Sequence, residues 1–396
     1  MNRVRTACCI VGMLVVCAVP VRPDDAPNLR PLVEGNTQFA LALYKSLVVP
    51  GKNLVVSPYS VSTSLAMTSM GAWGKTLQEM HRALRLSMNS EAIHGSFAVL
   101  ADALEQRSGA GVRLTIANGI WLNKGLEVKK QFLTSAERSY KARADQLDFS
   151  GNAESSRREI NEWISKKTAG RIAGLLPPGS VSPATSLVLA NALYFLGNWE
   201  YPFDPKKTHT GKFIIGKKRQ VPAVMMRGKM LCRFLETPQA HIASLPYKGG
   251  ALSLVVFLPS AKLGIEKFEK GLTAQMMSQW LSRLQRREME ITIPRFTIAA
   301  SSRLNETLKK MGMSSAFGPA ADFSGIGGKL FISDVFHSAY IEVNETGTEA
   351  AASTAVSMTK NGSRRAFRAD RPFVYAIVDN ATGSVLFMGR VYQPKG

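Results

Sequence analysis

The stretch 347-GTEAAAST-354, set inside 342-EVNETGTEAAASTAVS-357, decides how the chain is read. The longer segment holds four alanines, one glycine and no aromatic residue. It brings too little apolar bulk to anchor a core. As an extended strand it has a period of two. Thr348, Ala350, Ala352, Thr354, Val356 and Met358 then share one face, and Gly347, Glu349, Ala351, Ser353, Ala355, Ser357 and Thr359 the other. Glu349, the only charge between Gly347 and Lys360, falls on the second face with Ser353, Ser357 and Thr359. The segment therefore carries a dry face and a wet face.

The rest of the chain is globular in composition: 396 residues, 45% hydrophobic and 20% charged. Its formal charge is +21, from 50 Lys+Arg against 29 Asp+Glu. Such a field favours polyanions, but the spread of the basic residues reads first as a solvated basic surface, with a heparin-like glycan near Lys217 to Arg219 as the alternative. The basic pairs are scattered and no aromatic residues interleave with them, so no nucleic-acid partner is expected. Arg3 and Arg5 followed by the apolar run Ala7 to Ala18 read as a secretory signal over residues 1–18. Removing it subtracts those two arginines and lowers +21 to +19. No later run of eighteen apolar residues occurs, so a soluble, extracellular, monomeric product without a membrane partner is expected. Three of the four cysteines leave with the signal, and the remaining Cys232 reads as a small buried hydrophobe. Without disulfides, the secreted chain must rest on a large core. Four Asn-x-Ser/Thr triplets, at Asn305, Asn344, Asn361 and Asn380, are glycan candidates, and a glycoprotein is expected.

Helical periodicity comes early: Phe39 to Leu47, a helix begun by Ser57-Pro58 and running from Val61 to Gly71, Glu91 to Gln106, and Ser155 to Lys167. Strand patterns dominate later: Val112 to Trp121, the apolar run Ser186 to Leu196, Leu252 to Leu258, Glu290 to Ile298, Ala339 to Val343, Phe373 to Val378 and Ser384 to Val391. This order, without strict alternation, predicts an α+β fold with mostly antiparallel sheets in one large domain over 19–396.

Enzyme chemistry finds no support. Gly71 to Thr76 lacks the first glycine of a phosphate loop, since Ser69 stands there. His81, His94, His209, His241 and His337 are scattered, with no pattern for a metal, and no cofactor is expected. Ser57 and His337 lack a nucleophile elbow, and His337 reads as a buried, hydrogen-bonded histidine.

The opening stretch resembles the hinge of a serpin, the family of protease-trapping inhibitors. The resemblance runs from about Asn36 to Val391. It includes 53-NLVVSPYS-60, 191-NALYFLGNW-199, 331-FISDVFH-337 with 342-EVNE-345, and 371-RPF-373 with 379-DNATGSVLFMGR-390. It implies the serpin fold: about nine helices, three β-sheets with a large central one, and an exposed reactive-centre loop near 345–370. It also implies a mechanism. A protease cuts the loop and forms an acyl-enzyme; the freed loop inserts as a new strand into the central sheet and carries the protease with it. The hinge would be Glu345, Gly347, Thr348, Glu349, Ala350, Ala351, Ala352, Ser353 and Thr354. Fifteen residues of strand at ~3.3 Å each reach about 50 Å, enough to cross a domain. Ser57, Ser60, Asn191 and His337 match the family's polar cluster where strands part, and Trp199 matches the point where the loop enters.

The family's usual spacing puts the reactive bond at Asn361–Gly362, with Lys360–Asn361 one residue away. The first suits an asparaginyl cysteine peptidase, the second a trypsin-like serine protease. Asn361 is also a glycan candidate, and sugar there would favour Lys360. A glycan on Asn344 would crowd the hinge. The alternative is a non-inhibitory binding or carrier member of the family.

Overall fold

The computed structural model describes residues 28–109, 111–216, 219–348 and 365–395. The expected signal segment, Lys217, Lys218, the hinge residues Glu349 to Thr354, and Lys360, Asn361 and Gly362 lie outside them. Nine α-helices occur among the described residues: α1 (Arg30–Leu47), α2 (Pro58–Ser69), α3 (Gly74–Ala83), α4 (Ser90–Glu105), α5 (Lys130–Tyr140), α6 (Phe149–Lys167), α7 (Gly264–Gly271), α8 (Ala274–Arg283) and α9 (Asn305–Lys310). The early strands are β1 (Leu54–Val56), β2 (Val112–Asn123), β3 (Arg143–Leu147), β4 (Leu187–Asn198), β5 (His209–Ile215), β6 (Arg219–Glu236), β7 (Ala240–Pro246) and β8 (Leu252–Pro259). They are followed by β9 (Gln285–Pro294), β10 (Phe296–Arg303), β11 (Ile332–Val343), β12 (Gly347–Thr348), β13 (Ala366–Arg368), β14 (Phe373–Asp379) and β15 (Val385–Val391).

This is the α+β architecture expected. The central sheet has the order β10-β11-β12-β4-β2-β3, with β11 also paired directly to β4. The other strands form a second hydrogen-bonded ladder, β1-β15-β14-β8-β7-β6-β9-β13, with β5 on β6. The three sheets expected thus join as two ladders. The long strand β6 serves two of them: it pairs β5 over Arg219 to Met225, β9 over Met225 to Phe234, and β7 from Arg233 onward.

The apolar run of β4 follows from its two covered faces. Leu187, Leu189, Leu193 and Phe195 enter the main core. Val188, Ala190 and Ala192 pack with Phe149, Ile160 and Ile164 of α6 on the opposite side. A strand buried on both faces has no reason to alternate. Beneath the sheet, every residue of α2 is buried. Several of its hydroxyls turn back on the helix, with Thr63 donating to Tyr59 O at 2.7 Å and Thr68 to Ser64 O at 2.9 Å.

One expected strand is two. The run Glu290 to Ile298 divides at Pro294-Arg295: β9 stays in the large ladder against β6, and β10 crosses to the central sheet against β11. Proline has no N–H to continue a ladder. Arg295 N–H is still held by β6, donating to Val224 O at 2.8 Å, and the pairing with β11 starts at Phe296. Among the described residues no helix is long and apolar enough to cross a membrane, and no group of three or more His, Cys, Asp or Glu could hold a metal.

Candidate functional site

The site is built where β11 and β4 run parallel. Their register carries His337 against Asn191, and the β2–β4 register carries Asn118 against Asn191. Three polar side chains therefore stand in one row across β11, β4 and β2, directly over the start of α2. Ser57 caps that helix, its Oγ accepting from Ser60 N–H at 3.1 Å. The same hydroxyl donates to Leu386 O at 2.8 Å. Ser57 N–H donates to His337 Nε2 at 3.0 Å, and Ser60 Oγ to Asn118 Oδ1 at 2.8 Å.

Because Nε2 accepts a bond from a backbone N–H, the His337 proton resides on Nδ1, where it is donated to Asn191 Oδ1. Burial pushes the imidazole pKa down to about 3, so the ring is neutral. The four cluster residues expected from sequence, Ser57, Ser60, Asn191 and His337, come together here. Asn118 completes the row and was not foreseen. A lone asparagine in RLTIANGIWL gives no hint of its partner until strand register is known.

Farther along the same two strands the pair has parted. Direct pairing of β11 with β4 reaches Tyr340 and Tyr194. Beyond it, β12 lies between them, with Thr348 opposite Val343 on one side and Gly197 on the other, and Gly347 opposite Asn198. Both contacts are antiparallel. Asn344 makes the reversal: its Oδ1 accepts from Thr346 N–H (3.0 Å), Thr346 Oγ1 (2.8 Å) and Gly347 N–H (3.2 Å). Trp199 holds the outer strand of this turn. Its N–H donates to Thr346 O at 2.9 Å, and its Nε1 donates to Asn344 O at 2.9 Å. The indole stacks on Tyr247, ring centroids 4.7 Å apart, and Tyr247 OH shares a 2.6 Å hydrogen bond with Thr348 Oγ1.

Glu345 is buried and tied to two partners, Arg295 at 2.6 Å and Thr208 Oγ1 at 2.8 Å. Burial alone would raise its pKa, but the bonds from Arg295 and Thr208 outweigh it and the pKa is lowered. Arg295, Thr208 and Tyr247 were invisible as site residues in the sequence. Arg295 reaches Glu345 because of the same crossing that splits the β9–β10 run.

The glycan candidates differ in environment. Asn305 is buried, its amide nitrogen donates to Ser333 O (2.8 Å) and Asp334 Oδ1 (3.1 Å), and its oxygen accepts from Val335 N–H (3.0 Å). A sugar on that nitrogen would compete with both of these donor bonds. Asn380 is exposed, with its amide bound to Gly250 O and Ser253 Oγ, both at 2.8 Å. Asn344 is half-buried in the turn just described.

The resemblance places a polar cluster and a loop entry in this region; the short strand β12, already seated between β11 and β4, is a feature the sequence reading did not contain. The family model described as "Serpin (serine protease inhibitor)" matches residues 34–394. The chain belongs to the serpin family. Serpin B6 of Pongo abelii is 37% identical, covering 92% of this chain and 99% of the relative. Antithrombin-III of Bos taurus is 35% identical, covering 92% and 82%. The crystal structure of human thyroxine-binding globulin with its hormone superposes with a TM-score of 0.84 at 29% identity, covering 93% of this serpin and all of that chain.

Proposed function

We propose that this serpin is a secreted inhibitor that traps a target protease by loop cleavage and strand insertion. The observation that carries the reading is the position of Gly347 and Thr348, seated antiparallel between β11 and β4. Below them β11 and β4 pair in parallel over Ile332 to Tyr340 and Leu187 to Tyr194. A strand continuing from Thr348 in the same direction would replace that one parallel ladder with two antiparallel ladders. Antiparallel pairing is slightly more stable per residue, and the number of ladder bonds rises. Small side chains at Ala350, Ala352 and Thr354 suit the dry face of such a strand. Glu345, held by Arg295 and Thr208, acts as the fixed pivot at its upper end.

The reactive bond in this reading is Asn361–Gly362, or Lys360–Asn361 if the target is trypsin-like. Incubation with a trypsin-like serine protease and with an asparaginyl cysteine peptidase tests it. The expected result is an SDS-stable covalent complex with one of them, and a released C-terminal peptide whose mass names the bond. Quantitative cleavage by both, with full protease activity afterwards, rejects inhibition. The likeness to a globulin crystallised with thyroxine supports the second reading, a carrier whose cut loop stays out of the sheet.

A further inference from the structure

A second site lies on the large ladder, beside Glu200 and Pro246, the chain neighbours of Trp199 and Tyr247. Arg233 of β6 is directly opposite Arg286 of β9, and on its other side directly opposite Ser244 of β7. Two guanidinium groups and a hydroxyl-bearing side chain thus stand in one transverse row of three neighbouring strands, at the ~4.8 Å spacing of a sheet. Like charges placed opposite each other across a ladder are destabilising. The neighbouring cross-strand cations are neutralised: Arg227 pairs with Glu290 at 2.7 Å and Lys229 with Glu288 at 2.8 Å. Arg233 and Arg286 have no ion-pair partner among the described residues; Arg233 makes only a long 3.3 Å bond to Leu281 O.

The row opens into a cavity of about 340 Å³. Arg233, Arg286, Ser244, Ser253 and Asn380 line it, together with the carboxylate of Glu200. Glu200 is not turned into the arginine pair as a salt bridge; its Oε2 accepts from Gly249 N–H at 2.8 Å. The cavity lies at the lower end of the size range of small-ligand sites. Planar guanidinium groups bind oxyanions through paired N–H donors, which is why arginine recurs where sulfate and phosphate groups are recognised.

We infer that the Arg233–Arg286 cavity binds a tetrahedral oxyanion, a sulfate ester or phosphate group, which supplies the counter-charge that the sheet omits. The inference is independent of whether the loop traps a protease. A bound oxyanion would bridge β6 and β9 and relieve their repulsion, so occupancy and local stability are linked.

Isothermal titration calorimetry on the full chain tests this, with inorganic sulfate, inorganic phosphate and a sulfated disaccharide as probes and ionic strength held constant with sodium chloride. Saturable one-site binding of at least one probe is expected. Arg233→Gln and Arg286→Gln each weaken it by roughly tenfold or more, the scale of one lost charge-assisted contact. Arg138→Gln, an exposed change on α5, leaves it unaltered. Arg286→Glu gives Arg233 an internal partner and abolishes binding while keeping the near-ultraviolet circular dichroism of the parent. Binding by the inorganic ions points to a free anion; binding by the disaccharide alone points to a sulfated glycan. Absence of saturable binding by all three probes, or equal affinities in the parent and Arg286→Gln, overturns the inference.

Discussion

Gly347 is glycine for want of space. A Cβ at this position would lie 2.0 Å from Gly197 O and 2.7 Å from Asn198 Cα, both backbone atoms that cannot swing aside. Gly347→Ala therefore strains the seat of β12, at a cost of about 1–3 kcal/mol. If insertion begins from this seat, the variant inserts roughly fivefold or more slowly, because each 1.36 kcal/mol of barrier is a factor of ten. With a protease that forms the covalent complex, gel densitometry should show the cleaved, uncomplexed serpin rising by that factor relative to complex. An unchanged ratio would mean that the close approach at Gly347 plays no part in the reaction. At this scale the sequence was legible where a residue's type is unusual for its surroundings. A glycine before a run of alanines, and a serine-proline start to a buried helix, could be read directly. Thr208, Tyr247 and Arg295 could not, because each acts through a partner far away in sequence, as Tyr247 does across 101 positions.

Strands β11, β4 and β2 with helix α2 form one unit, coupled through a histidine that must stay neutral. His337 Nε2 faces a donor, Ser57 N–H. A second proton would set two donors against each other and break the helix cap's link to the sheet. The sign follows from the pKa values. The folded value is about 3 and the unfolded one ~6.5, so the folded state binds fewer protons between them. The stabilisation is complete above about pH 6.5 and is lost as pH falls toward 3, at about 1.4 kcal/mol per pH unit. His94, pushed by burial to about 4, and His81, also lowered, add slopes of their own. Urea unfolding of the parent and of His337→Gln at pH 7.5, 6.0 and 5.0 separates them. The variant should be less stable at pH 7.5, yet lose about 1.4 kcal/mol less per unit below pH 6.5. Parallel slopes would show that His337 does not titrate on unfolding. Elements were legible from periodicity when one face or both were buried along their whole length, as in β4. The run EITIPRFTI misled because its apolar pattern crosses a sheet boundary without interruption; Pro294 was the available signal.

At the scale of the whole molecule, the central sheet is held open at one end by two residues and closed by a parallel ladder below. In the proposed reading such a sheet has a better-paired alternative within its own sequence, reached only once the chain between Thr348 and β13 is cut. Cutting one bond between them removes the tether without changing composition, core or charge. The expected consequence is a rise in melting temperature on the order of 10 °C or more in loop-cleaved protein, the equivalent of several kcal/mol for a domain of this size. Scanning calorimetry before and after limited proteolysis, with the cut confirmed by mass, provides the measurement. A cut anywhere between Thr359 and Arg365 should give the same rise, because the gain comes from the strand that enters and not from the bond that is broken. No rise at any of these cuts would mean that the parallel ladder is the better arrangement for this sequence. The carrier reading would then stand, with Gly347 and Thr348 as a fixed edge of the sheet and no strand waiting to follow them.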